Sequence, residues 1–115
     1  MSFRWPNKDP DEQLDYSVDW SRFLGTATIS TVTWSVKSTV YSTKTTLGAG
    51  QTLTVASSSA TTDDIQNVSQ TNNNTVATIN IGGGTNNIEY TFFCNMVDST
   101  GSQAERSIKL RVKER

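Results

Sequence analysis

Apolar residues recur at every second position in several short runs of this chain. Leu14, Tyr16, Val18 and Trp20 alternate with Asp15, Ser17 and Asp19. A period of two places the first set on one face of a strand and the small polar set on the other. The same pattern predicts a strand over 28–37, where Val32, Trp34 and Val36 alternate with Thr31, Thr33 and Ser35. It predicts another over 75–81, with Ala77, Ile79 and Ile81 on one face. The longest run is Ile88, Tyr90, Phe92, Cys94 and Met96 within 88–98, answered by Ile108, Leu110 and Val112 on a returning strand. Between them, Asp98-Ser99-Thr100-Gly101-Ser102 suits a hairpin loop with glycine at the positive-φ position.

Elsewhere the alternation weakens. Residues 21–26 read as a turn through Gly25, and 40–46 as an edge strand of mostly Thr and Ser. A turn at 47–50 leads to a short strand over 51–56 with Leu53 and Val55 inward. From 57 to 74 the pattern fades into a long loop, within which Ile65 and Val68 anchor a short strand or a single helical turn. Ser57-Ser58-Ser59 and Asn72-Asn73-Asn74 bury nothing, and Gly82-Gly83-Gly84 permits a sharp reversal. The chain has 18 Thr, 14 Ser and 9 Asn, a bias toward strands and turns over helices. The expected core residues are Tyr16, Val18, Trp20, Trp34, Tyr90, Phe92, Cys94, Ile108 and Leu110. Trp34 suits a position between two sheets. Tyr90, leading into the penultimate strand, resembles the tyrosine corner of immunoglobulin-like domains. The expected fold is all-β, an immunoglobulin-like two-sheet sandwich, with a short barrel as the structural alternative.

The N-terminus breaks the pattern. Trp5-Pro6 and the charged run Lys8-Asp9-Pro10-Asp11-Glu12 precede the first alternating strand. Both prolines exclude helix, since each lacks an amide hydrogen and pushes its predecessor toward extended geometry. Residues 1–13 are therefore expected to form an extended arm and acidic turn, and 14–115 the sandwich. The length suits one domain. Apolar content of 34% implies a thin core, and the net charge of −1 comes with cations spread along the chain. No basic patch suits phosphates, so nucleic acid is not an expected partner. No apolar run approaches membrane-spanning length, and no secretion signal precedes the domain. With no histidine and a single cysteine, the usual zinc spacings, histidine-based nucleophile pairs and an internal disulfide are excluded.

Candidate chemistry is correspondingly sparse. Asp9, Asp11, Glu12 and Asp15 could offer oxygen ligands to calcium, but Pro10 constrains the turn and no glycine supplies a sharp bend. A solvated turn docking on a neighbouring subunit is the favoured reading. Phe3 and Trp5 either cover the open end of the sandwich or anchor in a partner's groove. Cys94 reads as a small buried hydrophobe. The two Asn-x-Ser/Thr matches and the glycine triplet carry no modification or nucleotide role. Arg106, Lys109, Arg111, Lys113 and Arg115 are expected to place cations on the outward phase of the last strand. They either protect an edge or dock on an acidic surface, such as the 11–19 region of a neighbouring copy. The expected interface residues are Phe3, Trp5, Lys8, Asp9, Asp11, Glu12, Arg111 and Lys113. No catalytic, cofactor-binding or metal-binding residue is expected.

The run W-P-x-K-D-P-D-E-x-L-D-Y-x-x-D-W, at Trp5 to Trp20, resembles a family of small tailed-phage structural proteins described as fiber-tail adaptor or neck-associated proteins. A second likeness lies in T-I-S-x-x-T-W-S-V at Thr28 to Val36. A third is E-R-S-I-x-L-R-V-K-E-R at Glu105 to Arg115, so both ends are covered while 37–87 departs from the pattern. The resemblance implies a non-enzymatic virion protein of the tail or neck, made in the host cytoplasm. Such a protein joins the tail tube or adaptor ring to tail fibers, with a homo-oligomeric ring and other tail or neck proteins as partners. Capsid decoration is the first alternative. A carbohydrate or host-surface binding module, with Tyr41 and Phe93 outward, is the second.

Overall fold

A computed structural model describes residues 3–39, 44–53 and 65–114. The described elements are β1 (Phe3–Arg4), β2 (Leu14–Asp19), α1 (Ser21–Leu24), β3 (Ile29–Ser38), β4 (Thr45–Thr46), β5 (Gln66–Asn72), β6 (Val76–Gly82), β7 (Ile88–Asp98) and β8 (Gln103–Val112). One sheet has the order β1-β8-β7-β3-β4 and the other β2-β6-β5. Neighbours run antiparallel, except that β1 lies parallel to β8. The sheets pack face to face as a sandwich.

The alternation read from the sequence explains the packing. Trp34 and Val36 of β3, Tyr90, Phe92, Cys94 and Met96 of β7, and Ile108, Leu110 and Val112 of β8 are buried. They meet Tyr16 and Val18 of β2 and Ala77, Ile79 and Ile81 of β6. All nine expected core residues lie inside. The Tyr90 hydroxyl accepts a hydrogen bond from the Thr85 amide at 2.9 Å, closing the corner ahead of β7. At the β7–β8 hairpin, Gly101 has φ of +90° and the Asp98 carboxylate organises the loop. It accepts from the amides of Thr100 (2.9 Å) and Ser102 (3.0 Å) and from the Thr100 hydroxyl (2.6 Å).

Several local expectations change. Residues 21–24 form a helical turn, with the Trp20 carbonyl accepting from the Phe23 and Leu24 amides, before Gly25 reverses the chain at φ +59°. The expected long loop contains a true strand, β5, which no apolar period announces because its sequence is almost wholly polar. Asn67 is fully buried there, and its amide nitrogen donates to the Leu47 carbonyl (3.0 Å) and the Gln70 side chain (2.9 Å). Backbone pairing with β6 and these bonds replace apolar burial as the reason for the strand. Of the expected 40–46 strand, residues 44–46 are described and Thr45–Thr46 form strand, while Tyr41 lies outside the described residues. In the 51–56 segment Thr52 bridges to Gln66 and Leu53 is buried, while Val55 also lies outside them.

Candidate interaction surfaces

The N-terminal segment is extended, as its prolines require, but it does not protrude. Phe3 and Arg4 pair with Ile108 and Lys109 of β8. The Trp5 amide then donates to the Lys109 carbonyl (2.9 Å), and the Lys8 amide to the Arg111 carbonyl (3.0 Å). The Lys113 amide in turn donates to the Lys8 carbonyl (2.8 Å). The expected division between an arm and a sandwich is therefore not a division of packing. The segment is a strand-like edging sewn to β8.

That placement turns two expected interface residues inward. Trp5 stacks on Tyr16 with ring centroids 4.8 Å apart and lies 5.8 Å from Phe92 and 6.1 Å from Trp34. Its indole nitrogen donates to the Ser17 carbonyl at 3.3 Å. It closes the sandwich between the edges of β2 and β8 and is a core residue. Lys8 has no exposed surface, and its ammonium donates to the Asp9 carbonyl (2.8 Å) and to the Gly83 carbonyl. It straps the acidic turn to the β6–β7 loop. An aromatic and a lysine ahead of the first strand carry no periodic signal, because their backbone is held by Lys109, Arg111 and Lys113 at the far end of the chain and the lysine's ammonium by the glycine loop.

The acidic turn is closed by its own side chains. The Asp9 amide donates to the Glu12 carboxylate (2.9 Å), the Glu12 amide to the Asp9 carbonyl (3.0 Å) and the Asp11 amide to the Asp9 carboxylate (2.9 Å). Asp9 and Glu12 are thus engaged with backbone and half-buried, and Asp11 is the exposed member. Among the described residues no three or more acidic, cysteine or histidine side chains converge as a metal site would require.

The basic last strand divides between two surfaces. Lys109 and Arg111 take the outward phase, and Lys113 is exposed beyond the strand end. Arg106 takes the inward phase near the start of β8, where the sandwich is open. Its guanidinium lies 4.6 Å from the Trp20 ring and donates to the Asp19 carbonyl at 3.0 Å. The expectation of a bare basic edge is corrected by β1, which flanks β8 over Ile108 and Lys109. Instead Trp5 and Arg106 hold the carbonyls of β2 at Ser17 and Asp19, so the edge of β2 is partly covered by side chains. A depression of about 280 Å³ remains there, lined by Arg4, Trp5, Val18, Asp19, Arg106 and Ile108.

The two outer sheet faces differ in charge. On the five-stranded face, Arg4 pairs with Glu89 at 2.7 Å, Lys109 approaches the same carboxyl at 3.8 Å, and Lys44 pairs with Glu105 at 2.7 Å. The hydrogen bond from Arg4 holds the Glu89 carboxyl below the usual range. Lys44 and Lys37 lie 4.6 and 5.8 Å from the Phe93 ring centroid. Beside them is a shallow depression of about 450 Å³ floored by Thr91, Phe93 and Ser107 and rimmed by Lys37 and Lys109. On the three-stranded face the outward residues are mainly hydroxyls and amides, with two carboxylates and Val76 opposite Asp19. Ser17 and Thr78 hydroxyls meet at 3.0 Å, and the Asn80 amide donates to Asp15 at 2.7 Å. Asp19 accepts from the Ser21 amide at 2.9 Å, and hydrogen bonding to Ser21 holds its carboxyl below the usual range.

Cys94 is buried on the inner face of β7, and burial pushes its thiol up to about 11. This is the opposite of the shift that activates a nucleophile.

Comparison with models of known families gives a match. The model for the podophage GP4 fiber-tail adaptor protein gp77 covers residues 8–111, including the 37–87 segment that the resemblance at the two ends did not reach. No curated protein matches the chain significantly.

Proposed function

The chain belongs to the podophage GP4 fiber-tail adaptor family, and on that premise we propose that it is a non-enzymatic structural protein of the virion tail or neck. It joins the tail tube or adaptor ring to tail fibers through protein–protein contacts, as one subunit of a homo-oligomeric ring. It is made in the host cytoplasm and assembles without cofactor. The observation that carries this reading is the family match over residues 8–111.

The structure supports it in physical terms. Both ends of the chain are hydrogen-bonded into one sheet, giving a rigid body whose outer faces meet neighbours. The strand order, with β1 parallel to β8 at one edge and β2-β6-β5 opposite, and the Tyr90 corner support an immunoglobulin-like version of the sandwich. Of the expected interface residues, Asp11, Arg111 and Lys113 remain outward and are retained. Asp9 and Glu12 serve by shaping the turn that displays Asp11.

The test is copies per virion, measured by quantitative mass spectrometry of purified particles against the major capsid protein. A number matching the tail's symmetry is expected. A number comparable to the capsid protein would assign the chain to capsid decoration, and absence from particles would sink both assignments.

A further inference from the structure

Resting on the ring proposed above, we infer which surfaces of neighbouring copies meet: the basic outer face of the five-stranded sheet of one copy docks on the acidic outer face of the three-stranded sheet of the next. The argument is charge complementarity read through the strand register. Lys37 of β3, Thr91 of β7 and Lys109 of β8 lie side by side across three neighbouring strands. Two lysines therefore flank a hydroxyl, about 10 Å apart at the usual strand spacing. Arg111, two residues along β8, extends the positive row. On this face five cations, Arg4 and Lys44 included, stand against the carboxylates of Glu89 and Glu105.

The opposite face has the reverse character. The strands β2, β5 and β6 carry no lysine or arginine at all, and their only charges are Asp15 and Asp19, both exposed. Their outward neighbours are mostly Ser, Thr and Asn side chains, with Val76 opposite Asp19, all short enough for a second sheet to approach. Because the two surfaces lie on opposite sides of one sandwich, the contact is heterologous. Each copy donates a basic face forward and an acidic face backward, which closes a ring or propagates a filament but cannot make a two-fold dimer. A face of three short strands measures roughly 15 by 20 Å from strand spacing and rise. This is well below the ~800 Å² per partner of stable pairs. The isolated contact is thus weak and salt-sensitive, and ring closure strengthens it.

The experiment uses the full chain at low ionic strength. Carbodiimide cross-linking with peptide mapping reads the contact, and sedimentation velocity reads assembly. Wild type is expected to give intermolecular links from Lys37 or Lys109 to Asp15 or Asp19, and self-association at least tenfold weaker at 0.5 M salt. The double variants Lys37→Glu/Lys109→Glu and Asp15→Lys/Asp19→Lys are each expected to stay monomeric alone and to associate when mixed, since one is then acidic on both faces and the other basic on both. Asp15→Asn/Asp19→Asn keeps the side-chain oxygens that accept from Asn80 and Ser21, guards against misfolding, and is expected to weaken association on its own. Variants that associate like wild type, mixing without rescue, or links mapping elsewhere would overturn the inference, as would a wild-type protein that stays monomeric and unlinked. Copy number in particles is read separately, so a ring-sized count with no such contact defeats this inference and leaves the adaptor reading standing.

Discussion

At the residue scale the chain uses titratable groups to hold local structure. Asp98 is the clearest case, because one carboxylate oxygen gathers the amides and hydroxyl of the β7–β8 loop, and those bonds, the Thr100 hydroxyl's first, hold its pKa below the usual carboxylate range. A depressed folded pKa stabilises the native state above the unfolded value near 4, and that contribution is lost as pH falls through the folded value. Asp98→Asn is therefore expected to lower the melting temperature at pH 7, with the gap from wild type narrowing below pH 4. A gap independent of pH would remove the ionised carboxylate from the account. Cys94 behaves in the opposite sense. Its thiol is raised from 9.0 to about 11, so its neutral form favours the folded state, and the contribution is intact below pH 9 and lost as pH rises through 11. Disulfide-exchange labelling at pH 8 is expected to be negligible for the native protein and rapid in denaturant. Fast native labelling would contradict the burial. The dull reading of Cys94 was available from its phase in the strand and the lack of histidine. For Trp5 the sequence left covering the sandwich and docking in a partner open, and the inward fate of Lys8 was not legible, because neither belongs to a periodic run and the backbone of both is held by the far end of the chain.

Elements show the same division between what the sequence displays and what tertiary pairing decides. β2, β3, β6, β7 and β8 were legible because each buries one face, and burial on one face imposes a period of two. β5 was legible only as one of two options, a short strand or a helical turn near Ile65 and Val68, since the strand is held by the buried Asn67 amide and by backbone pairing with β6, and a polar strand resembles a loop when read alone. β1 is two residues long and exists because β8 offers an edge. Its anchor is Trp5, which gives a direct test. Trp5→Ala leaves a cavity beside Tyr16, Trp34 and Phe92 and is expected to cost about 3–5 kcal/mol, measured by urea unfolding. A loss under 1 kcal/mol would return Trp5 to the surface role first expected for it. The β6–β7 loop has a comparable fixed point in Gly84. Its φ is +101°, and an added Cβ would lie 2.7 Å from the Val112 side chain. Gly84→Ala is therefore expected to destabilise by roughly 1–3 kcal/mol. For the proposed interface, the sequence displayed the cations of the last strand. It did not show that Lys37 of β3 joins Lys109 and Arg111 on one face, because that grouping depends on the register of β7 between them.

For the whole molecule, the pairing of the first residues with the last sets when the fold can form. Phe3 pairs with Ile108, Lys8 bridges to Val112, and β7 needs β8 to complete its sheet. These contacts close nearly the full length of the chain, and long-range pairing must overcome loop-closure entropy before it is rewarded. A nascent chain ending before β8 also leaves Trp5, Tyr16 and Phe92 without the cover of Ile108 and Leu110. The sandwich is therefore expected to remain protease-sensitive on the ribosome until residues through Val112 have emerged, and to become resistant in a single step thereafter. Stalled nascent chains of increasing length, probed by limited proteolysis, would show this as one threshold. A chain ending at Ser102 is expected to stay unfolded both on the ribosome and after release. If that shorter chain resisted protease with a native-like near-ultraviolet spectrum, β1 and β8 would be accessories to a core that folds without them. A late, all-or-none fold would matter for the proposed ring, whose contacts would lie on both outer faces. The Lys37–Lys109 row exists only after β8 has paired with β7, so a partly made copy could present the acidic face but not the basic one. It could add to a growing ring only at one side and would stop it there, and folding as a single late step keeps such chain-terminating species scarce.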